Sequence, residues 1–195
     1  MKFQTLFFAC IFSSMLAFYS SNLWAAGDVK HIKLSIEIEP SAKVLKGVFE
    51  CNNPADSVFL LAKGLKVESV ITDGENVDFL QLTSDSSATS VSCKLHKKYS
   101  NLKISYSGKI NEENFPRTIS NQNRITRQML ELTDVIDWYP RFKNSDNCTF
   151  SLSVKAPKEF GFVTNGEQTE ISETGVTNET RFESQTPVSR IFLIG

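Results

Sequence analysis

Between residues 31 and 108 the sequence alternates apolar and polar side chains over short segments that are separated by turn residues. In HIKLSIEIE, residues 31–39, every second side chain is apolar, which predicts a half-buried antiparallel strand. Similar patterns follow in KVLKGVFEC, SVFLLA, LKVESVI, VDFLQL, SVSCKL and NLKISYSG. Asp73-Gly74 predicts a tight hairpin turn before VDFLQL, and Asn165-Gly166 predicts another near the end of the chain. Strands are also predicted in CTFSLSVKAP, TRFES and VSRIFLIG.

No segment of helical length repeats its apolar residues with a helical period. The sequence therefore predicts an all-β fold of about ten strands, either an antiparallel β-sandwich or saddle-shaped sheets. GKINEENFPRTISNQNRITRQ, residues 108–128, has no clear period and is interpreted as a long excursion over the surface. The apolar strand at the end of the sequence has no polar tail, which suggests that a further segment should follow it.

The first 26 residues have the three-part plan of a secretory signal peptide. Lys2 is followed by an apolar run from Leu6 to Tyr19 and then by small and polar residues. The run is shorter than the roughly 20 apolar residues of a spanning helix, so a membrane anchor is disfavoured. Cleavage after Ala25 or after Ala26 is compatible with the pattern. Residues 27–195 are then one exported domain, periplasmic or extracellular, with no membrane span after cleavage.

Charge and cysteine content narrow the possible functions. Without the leader, 20 basic residues stand against 22 acidic ones, a balance that does not favour binding to nucleic acid or to an anionic membrane. Cys51, Cys93 and Cys148 remain, so at most one disulfide can form within the chain. Their alternation with apolar neighbours favours buried thiols over metal ligands.

ELTDVIDWYPRFKNSD, residues 131–146, lacks a strand period and gathers aromatic and charged residues. Trp138 and Tyr139 before Pro140 favour a structural corner, where large rings are buried as the chain turns, with Asp137 and Arg141 facing outward. A separate hypothesis is an enzyme with a new active site built from carboxylates of this stretch, but nothing in the sequence indicates that these carboxylates lie close together. Its candidate residues are Asp134, Asp137 and Asp146.

The order of the segments resembles the N-terminal β-domain of aminopeptidase N-type zinc metallopeptidases. The residues that carry the resemblance are HIKLSIEIEPSAKVLKGVFECNNPADSVFLLAKGLKVESVITDG, LKISYSGKI, DWYPRF, TFSLSVKAPKEFGFVTNGE and RFESQTPVSRIFLIG. It covers about residues 30–195, and the WYP form resembles a divergent bacterial branch. The zinc-binding H-E-x-x-H helix of that family is absent, since His31 and His96 are far apart in strand-like segments. The resemblance therefore implies no catalytic residue, no metal ligand and no cofactor in this chain, with zinc expected only in a catalytic domain outside it.

The resemblance implies one candidate site residue. Glu131 corresponds to a family glutamate that lies in the catalytic cleft and binds the amino terminus of the substrate, through a charge-assisted hydrogen bond. Met129, Ile136 and Asn144 depart from the family pattern around it. Two hypotheses follow: a non-catalytic β-domain that packs on an aminopeptidase-like catalytic domain, or a stand-alone secreted β-sandwich that binds a peptide or an envelope protein by strand addition.

Overall fold

The computed structural model describes residues 30–54, 56–82, 90–96, 99–110, 124–142 and 147–195, and these contain strands and turns but no helix. The predicted all-β class is confirmed. Sixteen strands are defined in the described ranges, more than the ten expected, because several are only two or three residues long. They are β1 (Lys30–Glu39), β2 (Val44–Asn52), β3 (Val58–Ala62), β4 (Leu65–Thr72), β5 (Glu75–Asn76), β6 (Phe79–Leu82), β7 (Ser90–Leu95), β8 (Asn101–Lys109), β9 (Arg124–Ile125), β10 (Leu130–Leu132), β11 (Arg141–Phe142), β12 (Cys148–Pro157), β13 (Val163–Thr164), β14 (Glu167–Thr174), β15 (Thr177–Val188) and β16 (Leu193–Ile194).

The strands form one large sheet and two small ones. The large sheet has the order β14-β15-β12-β1-β2-β8-β4-β5. The first small sheet is β11-β3-β7-β6 and the second is β13-β16-β10-β9. Neighbouring strands are antiparallel with one exception: β1 and β12 run parallel, so that Ile32 lies opposite Phe150. The sequence pattern did not predict this parallel pair, because alternation along a strand does not specify the direction of its partner.

The core lies on the inner face of the large sheet. In β1 the four apolar residues of the alternating pattern are 1 to 6% exposed, while the residues between them are exposed. Tyr106 of β8 lies directly opposite Gly47 of β2. A side chain at Gly47 could not fit, since an added Cβ would lie 2.2 Å from the Tyr106 ring. This glycine lets a large ring lie flat against the backbone of the neighbouring strand.

The outer face of the large sheet carries ion pairs between adjacent strands. Lys103 Nζ lies 2.8 Å from Glu50 Oε1, and Lys155 Nζ lies 3.8 Å from Glu37 Oε1. These pairs are exposed, so each contributes at most about 1 kcal/mol to stability. They pair some of the charges of this face across neighbouring strands.

Several sequence predictions can be compared directly with the strands. Asp73 and Gly74 have positive φ angles of 48° and 90°, as expected for the predicted hairpin turn. β14 was missed, because all eight of its side chains are exposed and none gives a periodic apolar signal. Three segments of the sequence analysis lie outside the described residues: the leader (residues 1–26), residues 111–123 and residues 143–146. Within the described ranges there is no helix with the length and apolar character that a membrane crossing requires.

The side chain of Gln81 connects the first small sheet to the large one. Its Oε1 accepts a hydrogen bond from the backbone N–H of Val67 at 3.1 Å, and its Nε2 donates to the carbonyl of Leu65 at 3.2 Å. Along the edge of β4 opposite β8, Leu65 and Val67 have no strand partner among the described residues. The side-chain amide of Gln81 provides the hydrogen bonds that a neighbouring strand would otherwise make.

We expect Gln81→Glu to lower the free energy of unfolding by about 1–3 kcal/mol, because a carboxylate keeps the acceptor for Val67 but places a second oxygen against the Leu65 carbonyl. Urea denaturation followed by tryptophan fluorescence measures the change. Gln168→Glu, on the exposed strand β14, is the matched control and should change stability by less than about 0.5 kcal/mol. Equal effects of the two substitutions would contradict this role of Gln81.

Candidate functional site: the Trp138 corner and the Glu131 row

Trp138 and Tyr139 bind both peptide groups of a single residue, Ile191. The Trp138 Nε1–H donates to the Ile191 carbonyl at 3.1 Å, and the Ile191 N–H donates to the Tyr139 hydroxyl at 3.2 Å. The two rings contact edge to face, with centroids 4.8 Å apart. All three side chains are buried. Ile191 lies between β15 and β16 in a segment without strand pairing, so these two side chains satisfy groups that no ladder satisfies.

Asp137 is buried rather than facing outward, which corrects the sequence prediction for this residue. Its Oδ1 lies 2.5 Å from Arg141 Nε and 3.8 Å from Arg190 Nη1. Arg190 Nη1 also donates a hydrogen bond to the carbonyl of Asp134. Arg141 is partly buried, with 21% of its side chain exposed, so it also does not face fully outward. A buried carboxylate requires such partners, because an unpaired charge would be costly away from water.

The same corner is fixed to the other two sheets. The Ala62 N–H donates to the Asp137 carbonyl at 2.7 Å, which connects the corner to β3. The Phe142 ring lies 6.2 Å from the ring of Phe49 in the large sheet and 6.3 Å from the ring of Phe59 in β3, both in edge contact. Pro140 is buried between these contacts. The Trp138, Tyr139 and Pro140 side chains therefore lie where strands from all three sheets meet.

Glu131 occupies a different place, on the outer face of the second small sheet. It lies in β10 directly opposite Ile194 of β16 and Arg124 of β9, and Ile194 lies opposite Val163 of β13. These four residues form one row across the sheet, here called the Glu131 row. Val163 is 64% exposed and Ile194 is 42% exposed. The row thus combines two exposed apolar side chains with a carboxylate and a guanidinium.

Arg124 is the nearest charged partner of Glu131. Its Nε lies 3.6 Å from Glu131 Oε2, and this nitrogen makes no hydrogen bond within the described part of the chain. Sequence analysis missed Arg124, because it belongs to the aperiodic stretch that was interpreted as a surface excursion. It also missed Arg190 and Ile191, which are more than fifty residues from the corner that they contact. Such long-range pairing leaves no local signal in a sequence.

The histidines do not form a metal site in the described residues. His31 Nδ1 lies 2.9 Å from the Thr149 hydroxyl and Nε2 lies 3.0 Å from the Ser151 hydroxyl, so both ring nitrogens are used on the outer face of the large sheet. No group of three His, Cys, Asp or Glu side chains in the described ranges converges well enough to hold a metal ion. The side chains of the described ranges therefore do not form a group that fits the zinc site of a metallopeptidase. Of the carboxylates considered for a new site, Asp134 is exposed, Asp137 is bound to arginine and Asp146 lies outside the described residues.

The three thiols are unbonded, with Cys51 and Cys93 buried and Cys148 partly buried. Burial raises the pKa of Cys51 to about 12, with Lys30 opposing this by a smaller amount. Burial also raises the pKa of Cys93 to about 12 and that of Cys148 to about 11. A thiol with a raised pKa is almost fully protonated at neutral pH, which lowers its reactivity as a nucleophile.

Comparison with solved structures identifies similar folds. The M1 zinc metallopeptidase from Deinococcus radiodurans matches with a TM-score of 0.63 and 19% sequence identity, over 86% of this chain and 42% of that chain. A two-domain M1 zinc metallopeptidase bound to L-arginine matches with a TM-score of 0.65 and 20% identity, over 86% and 42%. Leukotriene A4 hydrolase from Saccharomyces cerevisiae matches with a TM-score of 0.61 and 18% identity, over 86% and 28%.

These likenesses show the fold. At this level of identity they do not extend to activity, and the chain spans less than half the length of each of these proteins. No protein-family model matches the sequence, and no curated protein is similar to it at a significant level. The chain therefore has the β-rich fold found in part of M1 zinc metallopeptidases.

The hydroxyl of Tyr139 should be important for stability, whereas that of Tyr106 should not. We expect Tyr139→Phe to lower the free energy of unfolding by about 1–3 kcal/mol, because it leaves the buried Ile191 N–H without an acceptor. Tyr106→Phe is the matched control: this hydroxyl is also buried but has no hydrogen-bond partner among the described residues. Its removal should be neutral or stabilising in the same urea denaturation. A larger loss in Tyr106→Phe than in Tyr139→Phe would contradict the assignment.

Stability should fall at alkaline pH. The folded pKa values of Cys51, Cys93 and Cys148 lie above the ordinary value of 9.0, and burial raises that of Tyr139 from 10.0 to about 12. As the pH rises, the unfolded chain loses these protons first, so the contribution of these four groups to stability is fully present below about pH 9 and declines between about pH 9 and 12. Urea midpoints measured across this range test the decline. The double variant Cys51→Ala, Cys93→Ala should show a shallower decline, and an unchanged slope would argue against a contribution from these thiols.

Proposed function

We propose that this chain is the exported, non-catalytic N-terminal β-domain of a zinc aminopeptidase-like protein, where it packs on a catalytic domain and shapes its cleft. The proposal is supported by the fold, which matches part of M1 zinc metallopeptidases, and by the order of the sequence segments. The leader pattern of residues 1–26 supports export. The observation that carries most weight is the composition of the Glu131 row.

The Glu131 row has the properties of a surface that another domain covers. Val163 and Ile194 are large, exposed and adjacent, and the carboxylate suggested by the family resemblance lies next to them in the same row. Adjacent exposed apolar side chains that are bordered by charged residues are typical of interaction surfaces. A domain that packs against Val163 and Ile194 would also cover Glu131, because the three residues lie in one row.

The outer face of the large sheet contrasts with this row. Several of its charges are paired between strands, as in Lys103 with Glu50, and none of the large hydrophobic side chains that are exposed in the described ranges lies in the middle of it. Such a face is well solvated and offers little apolar area to a partner. Of these two faces, the Glu131 row is therefore the better candidate for contact with a catalytic domain.

The first test is to read the gene beyond the codon for Gly195. We expect the frame to continue into an H-E-x-x-H sequence, whose two histidines on one helix face bind zinc. A stop codon directly after Gly195, together with a soluble monomeric product, would contradict the proposal.

In the protein that includes this catalytic domain, Glu131→Gln tests the role of the carboxylate. A charge-assisted hydrogen bond of about 1.5–3 kcal/mol corresponds to a loss of roughly tenfold or more in kcat/KM for peptides with a free amino terminus. The zinc content and the melting temperature should not change. Glu173→Gln, on the exposed strand β14, is the matched control. Unchanged kcat/KM in Glu131→Gln would show that this glutamate does not bind the substrate amine.

A second candidate function is strand addition by a stand-alone binding module. β6 is an edge strand of its sheet in the described structure, and Leu80 and Leu82 on its outer face are 50% and 48% exposed. An extended peptide could pair with the free edge while its side chains contact these leucines. This candidate is favoured if the gene stops after Gly195 and peptides shift the NMR signals of Leu80 and Leu82 in a saturable manner; without saturable binding it fails.

A further inference from the structure

A cleft of about 470 Å³ lies at one end of the large sheet. Three turns meet around it: the β1–β2 turn at Pro40 and Ser41, the β12–β13 turn at Glu159 and Phe160, and the tip of the β9–β10 hairpin at Arg127. A volume of this size is within the range of small-molecule sites in proteins.

The floor of the cleft is apolar and fixed. Ile38 is 3% exposed and Phe160 is 8% exposed, and Pro40 is buried beside them. The Phe160 ring stacks on the ring of Phe162, with centroids 6.2 Å apart and an angle of 18° between the planes. A ligand could therefore bury an apolar group on this floor with little rearrangement of the side chains.

The rim of the cleft carries charges of both signs that are not paired with each other. Glu39, Lys46, Arg127 and Glu159 make no ion pair within 4.0 Å in the described part of the chain. Glu37 is the exception, since it lies 3.8 Å from Lys155. Positive and negative groups thus face the same space without neutralising one another. A ligand that carries both charges could pair with both groups at once.

We propose that this cleft binds a small amphipathic zwitterion of amino-acid size. Its apolar body lies on Ile38, Pro40 and Phe160, its ammonium group pairs with Glu159 or Glu39, and its carboxylate pairs with Arg127. The rim has three carboxylates and two cations, so the ammonium group contributes more to binding than the carboxylate does. The cleft is lined by none of the four residues of the Glu131 row.

The probe is L-phenylalanine, added to the ¹⁵N-labelled chain and followed by NMR. We expect saturable shifts at the backbone signals of Arg127, Phe160 and Thr177, with a Kd of about 1 mM or weaker because the rim is open to solvent. L-phenylalanine amide lacks the negative charge and N-acetyl-L-phenylalanine lacks the positive one. Both should bind more weakly than the zwitterion, the acetylated compound most weakly.

Two rim variants make the test specific. Glu159→Gln and Arg127→Gln should each weaken binding of L-phenylalanine by about two- to fivefold, as expected for loss of one solvent-exposed charge pair. Glu173→Gln and Lys33→Gln lie on other surfaces and are the matched controls. The proposal is overturned if no saturable shifts occur near Phe160, if the strongest shifts lie elsewhere, or if both rim variants bind L-phenylalanine as the unmodified chain does. Because all four substituted residues are exposed, folding should be preserved, and the dispersion of the NMR spectrum verifies this.

Discussion

The arrangement of the three sheets depends on the two hydrogen bonds between Ile191 and the side chains of Trp138 and Tyr139. Two passages of the chain meet at this point. One leads from β10 in the second small sheet to β11 in the first, and the other leads from β15 in the large sheet to β16 in the second small sheet. Neither passage can use a strand ladder for its buried backbone groups. The indole N–H of Trp138 and the phenol oxygen of Tyr139 provide hydrogen-bond partners for the peptide groups of Ile191. Both side chains can be buried there, since each combines a large apolar ring with one polar atom.

The buried carboxylate of Asp137 reinforces the same junction. The backbone carbonyl of Asp137 accepts a hydrogen bond from Ala62 in β3, and its carboxylate pairs with Arg141 in β11. One residue thus contacts two further strands. A buried ion pair adds little net stability compared with apolar packing, because both charges lose hydration. It does disfavour other arrangements strongly, since moving either partner leaves an unpaired charge. We therefore interpret the Asp137 pair as a determinant of which strands meet at the corner.

The sequence predicts those parts of the fold that depend on local alternation. The strand pattern of residues 31–39 was sufficient to assign the buried and exposed faces of β1, and the Asp73-Gly74 dipeptide was sufficient to place a hairpin turn. β14 was not predictable, because it pairs through its backbone alone and buries none of its side chains. The parallel pairing of β1 with β12 and the contacts of Arg190 depend on residues more than fifty positions apart. For the candidate site, Glu131 came from a family resemblance, whereas its pairing with Arg124 required the structure.

The strength of the charge interactions in the Glu131 row depends on whether the row is in contact with water. Ion pairs in contact with water contribute about 0–1 kcal/mol, whereas the attraction between two opposite charges increases where the surroundings are less polar. The pairing of Arg124 with Glu131 at 3.6 Å is therefore weak while both side chains are in contact with water. If another surface covers Val163 and Ile194, water is excluded and every charge interaction of Glu131 becomes stronger. Selectivity for an ammonium group would then arise from the covering surface as much as from the glutamate itself.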